Sequence, residues 1–147
     1  MSSCFFFTFG FFAKSKKYYF NIDAVRIPYD EETKKARTRS IFVGKKWLEV
    51  GYNPKDLWSV SRIHKQSPER QNHPTQKPLE IIDRIILSSS KENDIVLDPF
   101  MGSGTTAISC LKNNRKYVGF ELNKDYCEII IQRIKQEQNN LFDRAVL

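Results

Sequence analysis

Apolar positions divide the chain into two unlike halves, and in the second half they recur with regular periods. Leu79, Ile82, Ile85 and Ile86 repeat at three- and four-residue spacing after Pro78, a residue suited to a first helical turn, so a helix is predicted from 78 to about 88. The short apolar run "DIVLD" (94–98) predicts a strand, "TTAISCLKNN" a helix and "KYVGFE" (116–121) a second strand. "NKDYCEIIIQRIKQEQ" then predicts a long helix with Asn123 as its N-cap. Strand, helix, strand, helix implies a parallel pair with a right-handed crossover. The tail after Asn139 is expected to fray.

The first half is less regular. "CFFFTFGFF" is too short to span a bilayer and no Lys or Arg precedes it, so it reads as a buried strand, not a secretory segment or a membrane anchor. "KKYYF" (16–20) continues the β-like character. Between Arg26 and Arg70 the chain is polar and basic, broken at Pro28, Gly44, Gly51, Pro54 and Pro68; loops with short strands around "SIFV" and "LWSV" are predicted. A Phe-rich strand beginning almost at Met1 would normally have neighbours on both sides, which points to a missing N-terminal portion.

Composition changes the picture in two respects. At 147 residues there is material for one modest core, a single domain or a piece of a larger one. A net charge of +7 suits a polyanionic partner such as DNA or RNA. Cys4, Cys110 and Cys127 are odd in number and form neither a CxxC pair nor a Cys/His cluster, the usage expected of reduced thiols in a cytoplasmic protein, and no metal site is legible.

The chemistry concentrates in "DPFMGSGTTA" (98–107), where a strand passes into a helix. Gly102 and Gly104 lack a Cβ, so the backbone can turn sharply and a ligand can approach it closely, while the following helix aims free N–H groups at that ligand. Glu121, at the end of the next strand, can accept both hydrogen bonds of a ribose diol. Together these predict a nucleoside-containing cofactor. Read as GxGxxA, residues 102–107 match the relaxed dinucleotide fingerprint, so the NAD-binding half of an oxidoreductase is one reading. A Walker A loop is excluded, because no Gly-Lys-Ser/Thr follows. Asp98 supports a third reading: it would repel a pyrophosphate but attract the sulfonium and ammonium of S-adenosylmethionine. A glycine-rich turn also serves simply as tight packing in many α/β proteins, Glu121 could be an ordinary carboxylate at a helix N-terminus, and Phe100 plain core.

At this point the residues resemble a known family. "DPFMGSGTT" with "GFELNKDY" is similar to the cofactor-binding motifs of the DNA amino-methyltransferases, the N6-adenine and N4-cytosine enzymes of restriction-modification systems. "NHPTQKPLEIIDRIILSSS" resembles the segment that precedes the DPF motif in the permuted group of that family, where the catalytic region comes first and the cofactor region closes the chain. "YYFNIDAVRIPY" and "NPKDLWSV" resemble its strand and target-recognition segment, so the similarity runs from about Phe11 to Arg133.

The resemblance implies an α/β fold, the C-terminal part of a Rossmann-like S-adenosylmethionine-dependent methyltransferase with an irregular basic target-recognition segment. It divides the chain into terminal strands of a truncated catalytic region (1–22), a target-recognition-like segment (23–70), a cofactor-binding region (71–139) and a tail (140–147). It further implies that Asp98, Pro99, Phe100, Gly102 and Gly104 line the methionine side of the donor, Thr105 and Thr106 open the helix beneath it and Glu121 holds the ribose. His73, Thr75 and Lys77 would close the pocket, with Lys77 or Thr75 meeting the methionine carboxylate. Arg37, Arg39, Lys45, Lys46, Arg62 and Lys65 are the candidate contacts to double-stranded DNA.

One departure matters. The family's catalytic motif, Asp, Asn or Ser followed by Pro-Pro and an aromatic, occurs nowhere in the chain, whose six prolines are never adjacent. The exocyclic amine of a base has its lone pair delocalised into the ring, so acceptors must hold its N–H groups while an aromatic stacks the flipped base. Two roles therefore follow from the resemblance: a truncated adenine-N6-preferring methyltransferase that is inactive alone, or a non-catalytic DNA-binding subunit beside a restriction endonuclease or a separate catalytic polypeptide.

Overall fold

The apolar stripe after Pro78 folds as expected, and everything that positions the glycine-rich turn is built around it. A computed structural model describes residues 8–38, 45–55 and 58–146. Its elements are α1 (Glu31–Thr38), α2 (Lys45–Val50), α3 (Leu79–Ser89), β1 (Ile95–Asp98), α4 (Thr105–Lys112), β2 (Lys116–Gly119) and α5 (Lys124–Val146). Pro78 stands at the N-cap of α3 and offers no side-chain acceptor, so the Glu69 carboxylate, ten residues earlier, accepts the Leu79 N–H at 2.6 Å. Asn123 caps α5, its Oδ1 accepting the N–H groups of Asp125 at 2.9 Å and Tyr126 at 3.4 Å.

β1 and β2 are parallel, with Ile95 opposite Lys116 and Asp98 opposite Gly119. α4 is the central helix, touching α3, α5 and β2. Small residues make this possible: Ala107, Ser109 and Cys110 are fully buried and let three neighbours approach one short helix. Met101, Ala107 and Ile130 form the core beside the turn, with Tyr117 and Ile134 packed against them. α3 is tied to α4 by polar contacts: Asp83 accepts from the Ser109 hydroxyl and, at 2.8 Å, from the Asn113 amide. Burial pushes the Cys110 thiol up to about 11, so it behaves as a small core residue.

The first half departs from expectation. Residues 8–22 form no strand, and Phe9, Phe11 and Phe12 are exposed instead of buried. β1 and β2 pair only with each other among the described residues, so this stretch has no ladder partner and its rings pack together, Phe11 lying 5.3 Å from Tyr18 and 5.6 Å from Phe20. The predicted loops with short strands over 26–70 contain α1 and α2 instead, with an antiparallel bridge between Ile27 and Tyr52 among the described residues. α1 has no buried residue and hence no apolar stripe to announce it; it is held by its cap, Asp30 accepting the Thr33 N–H at 2.7 Å and the Thr33 hydroxyl at 2.8 Å. Trp58–Val60 of "LWSV" is irregular, and "SIFV" lies outside the described residues. Nor does the chain fray after Asn139: α5 runs on to Val146, since no Gly or Pro interrupts it and its later residues include good helix formers.

Candidate functional site

The turn between β1 and α4 is assembled from its own backbone and four contacts to the carboxylates of Asp98 and Glu121. Gly102 and Gly104 both adopt left-handed backbone, with φ of 55° and 80°. Each also has a second reason to be glycine: a Cβ on Gly102 would lie 3.1 Å from His73 Nε2, and one on Gly104 would lie 3.0 Å from Ile130. Asp98, at the exit of β1, accepts the Phe100 N–H at 3.0 Å through one oxygen and the Thr106 hydroxyl at 2.6 Å through the other. It thereby joins the strand to the first turn of α4. The Pro99 and Phe100 side chains project outward, Phe100 being 86% exposed.

Glu121 closes the turn from the end of β2. One carboxylate oxygen accepts the Gly102 N–H at 2.8 Å and the other the Asn123 N–H at 2.9 Å. A carboxylate oxygen has two acceptor positions, so both keep capacity for a ligand hydroxyl. The Asn123 N–H chiefly, then the Gly102 N–H, hold the Glu121 carboxyl below the ordinary glutamate range against some opposing desolvation. Beside it lies a cavity of about 360 Å³ lined by Met101, Tyr117, Gly119, Phe120, Cys127 and Ile130. Its apolar walls and the adjacent carboxylate suit a flat ring attached to a diol.

The HPTQKP loop folds over the same turn. The His73 ring lies against Gly102 and 4.4 Å from the Tyr126 ring of α5. Burial lowers its pKa, partly countered by the negative charge of Glu121. Its Nδ1 accepts the Thr75 N–H at 3.3 Å, and the Lys77 ammonium donates back to the Thr75 carbonyl at 3.4 Å. Thr105 donates to the Lys77 carbonyl at 3.3 Å, joining loop and turn directly. Gln76 shapes the loop from within, accepting the Gln71 N–H at 2.8 Å and donating to the Glu69 carbonyl at 2.7 Å.

His73, Lys77, Asp98, Gly102, Gly104, Thr105 and Glu121 are thus brought to one turn, and Thr75 stands on the loop above it. The basic candidates are spread over separate elements. Arg37, on α1, donates to the Tyr29 hydroxyl at 3.0 Å and stacks over its ring at 4.7 Å. Lys45 and Lys46 open α2, Arg62 and Lys65 are exposed in irregular chain, and Arg39 lies outside the described residues. Sequence reasoning passed over Arg133, Met101 and Tyr126. The spacing of Ile130, Arg133 and Glu137 on one face of α5 was the available signal for the first.

Comparison with known proteins places the chain in a family. A family model for DNA methylases of the N6/N4 kind matches residues 7–132. The Type II methyltransferase M.HpaI of Haemophilus parainfluenzae is 40% identical over 124 residues, 84% of this chain and 36% of that protein. The DNA adenine methyltransferase YhdJ of Escherichia coli (strain K12) is 38% identical over 124 residues, 82% of this chain and 41% of that protein. The structure of the PvuII DNA methyltransferase (cytosine-N4-specific) is similar in fold, with a TM-score of 0.50 at 21% identity over 62% of this chain and 39% of that one. The chain therefore spans about two-fifths of the length of these curated relatives. The dinucleotide reading of the GxGxxA turn falls, since the turn sits within the region matched by methylases. From residue 7 to residue 132 the chain belongs to the N6/N4 DNA methylase family.

Proposed function

We propose that this chain binds S-adenosylmethionine in the turn between β1 and α4 and serves methyl transfer to an exocyclic base nitrogen of double-stranded DNA, adenine N6 in preference to cytosine N4. The observation that carries the reading is the convergence of Asp98, the two left-handed glycines and Glu121 on one turn beside an apolar cavity. When bound, the donor supplies an electrophilic methyl on a sulfonium and a second positive charge on its ammonium. Asp98 offers negative charge at the strand exit, Gly102 and Gly104 let the ligand reach the backbone, and Glu121 receives hydroxyls. Pro99, Phe100 and Thr105 complete the turn; His73, Thr75 and Lys77 shield it from above. Such a site excludes water from the sulfonium and holds the methyl in one direction for an in-line attack. The preference for adenine is supported by the 38% identity to a relative whose name states adenine.

The base-binding half of the reaction is supplied from elsewhere in this reading. No two prolines are adjacent in the chain, so it lacks the Pro-Pro-aromatic platform that would hold a flipped base. We therefore expect the chain alone to be inactive and to act beside a polypeptide carrying that platform, with Arg37, Arg39, Lys45, Lys46, Arg62 and Lys65 adding phosphate contacts. A restriction endonuclease is the other partner proposed, in keeping with the Type II designation of the relative M.HpaI. The test is transfer of tritiated methyl to plasmid DNA. Background counts with the chain alone, rising when a polypeptide bearing the motif is added, are expected; transfer by the chain alone would overturn the division of labour.

A further inference from the structure

One buried cation is left unexplained by the donor-binding residues. Arg133 lies in the middle of α5 and is 9% exposed, on the inward face that it shares with Ile130 and Glu137. Its Nη1 donates to the Ser103 carbonyl at 2.5 Å, with the Ser103 hydroxyl and the Thr105 hydroxyl each at 3.5 Å. Ile130, one turn earlier on the same face, packs against Gly104. α5 therefore grips the glycine-rich turn at two consecutive residues, by apolar contact at Gly104 and by a hydrogen bond from a charged donor at Ser103.

The geometry points to Arg133 as the positioning residue of the glycine-rich turn, and this rests on the reading of that turn as the donor site. In a trans peptide the C=O and N–H point in opposite directions. Holding the Ser103 carbonyl towards α5 therefore directs the Gly104 N–H away from it, onto the Met101 carbonyl at 2.8 Å. That sets the left-handed conformation at Gly104 before any ligand arrives. The second arm runs through Thr105, which faces Arg133 on one side and donates to the Lys77 carbonyl on the other. One guanidinium thus couples α5, the turn and the HPTQKP loop. The length of the arginine side chain matters: all three contacts are made by Nη1, and a lysine at this position, its ammonium one bond shorter, stops short of the Ser103 carbonyl.

The charge is sustained locally. Burial disfavours the charged guanidinium, but the carboxylates of Glu69 and Glu137 oppose that effect. Glu137 follows Arg133 by one turn, is itself 9% exposed, and keeps one oxygen without a hydrogen-bond partner among the described residues. Its other oxygen pairs with the Lys112 ammonium at 3.8 Å, so its negative charge acts on Arg133 without taking up a guanidinium donor, and those donors remain for the turn.

The experiment uses the full chain carrying Arg133→Lys or Arg133→Met, with Arg115→Met as a control that removes another arginine remote from the turn. The affinity for S-adenosylhomocysteine, the melting temperature and the 15N–1H resonances of Gly102 and Gly104 are measured together. Arg133→Lys is expected to stay folded yet shift or broaden the Gly104 amide and weaken binding by about tenfold or more, and millimolar guanidinium is expected to restore both in Arg133→Met. Arg115→Met should lower the melting temperature and leave both site readouts in place. If Arg133→Lys and Arg133→Met retain the wild-type Gly104 resonance and affinity, the assignment is wrong. Should the unaltered chain not bind the ligand, the donor reading fails, and the amide resonances alone still decide whether Arg133 sets the turn.

Discussion

Glu121 shows how one side chain can serve both the fold and the ligand. Its carboxylate accepts two backbone N–H groups across the turn, and these lower its pKa relative to an unfolded chain. The sign follows: a carboxyl depressed on folding adds stability above the ordinary glutamate range, and that contribution disappears as the pH falls through the lowered value. Melting temperatures followed from pH 7 into acid should therefore fall more steeply for the wild type than for Glu121→Gln; parallel curves would show that the two bonds do not tie the turn. At this scale the turn itself was legible, because Asp98, Gly102, Gly104 and Glu121 each have a chemistry that no neighbour could supply. Arg133 was not, since an arginine in a charged helix reads as solvent-facing unless the inward phase of that helix is already known.

At the scale of elements, α4 carries the arrangement. It is short, packed on three neighbours and built from Ala, Ser and Cys at its most buried positions, so polar links replace bulk. The Asp83 carboxylate facing Ser109 and Asn113 fixes α3 to α4. Asp83→Ala would leave a buried hydroxyl and an amide without their acceptor, at about 1–3 kcal/mol. Urea unfolding of Asp83→Ala, Ser109→Ala and the double variant checks this: the single losses should exceed the double one when summed, and strict additivity would contradict the shared contact. The second half was readable because helical and strand periods recur there in runs long enough to distinguish. α1 was missed because it buries nothing, yet its Asp30 cap and its acidic first turn were visible in "DEET".

At the scale of the whole molecule, the described residues cover one face of the sheet and leave the other bare. α4 packs on the sheet while Ile95, Leu97 and Val118 point away from the core and are 46–68% exposed. Parallel strands normally bury both faces, which accords with a chain spanning about two-fifths of its curated relatives. No helix among the described residues is long and apolar enough to cross a membrane. The proposed donor site would by contrast be complete in itself, its strand exit, turn, carboxylate, cavity and loop all coming from residues 69–133. A calorimetric titration of the full chain with S-adenosylhomocysteine, with NAD and the Asp98→Asn variant as controls, tests that completeness most directly. Saturable one-to-one binding, absent with NAD and weakened about tenfold or more in Asp98→Asn, is the expected result. A folded chain that takes up no ligand, or an Asp98→Asn variant that binds as the wild type does, would contradict it.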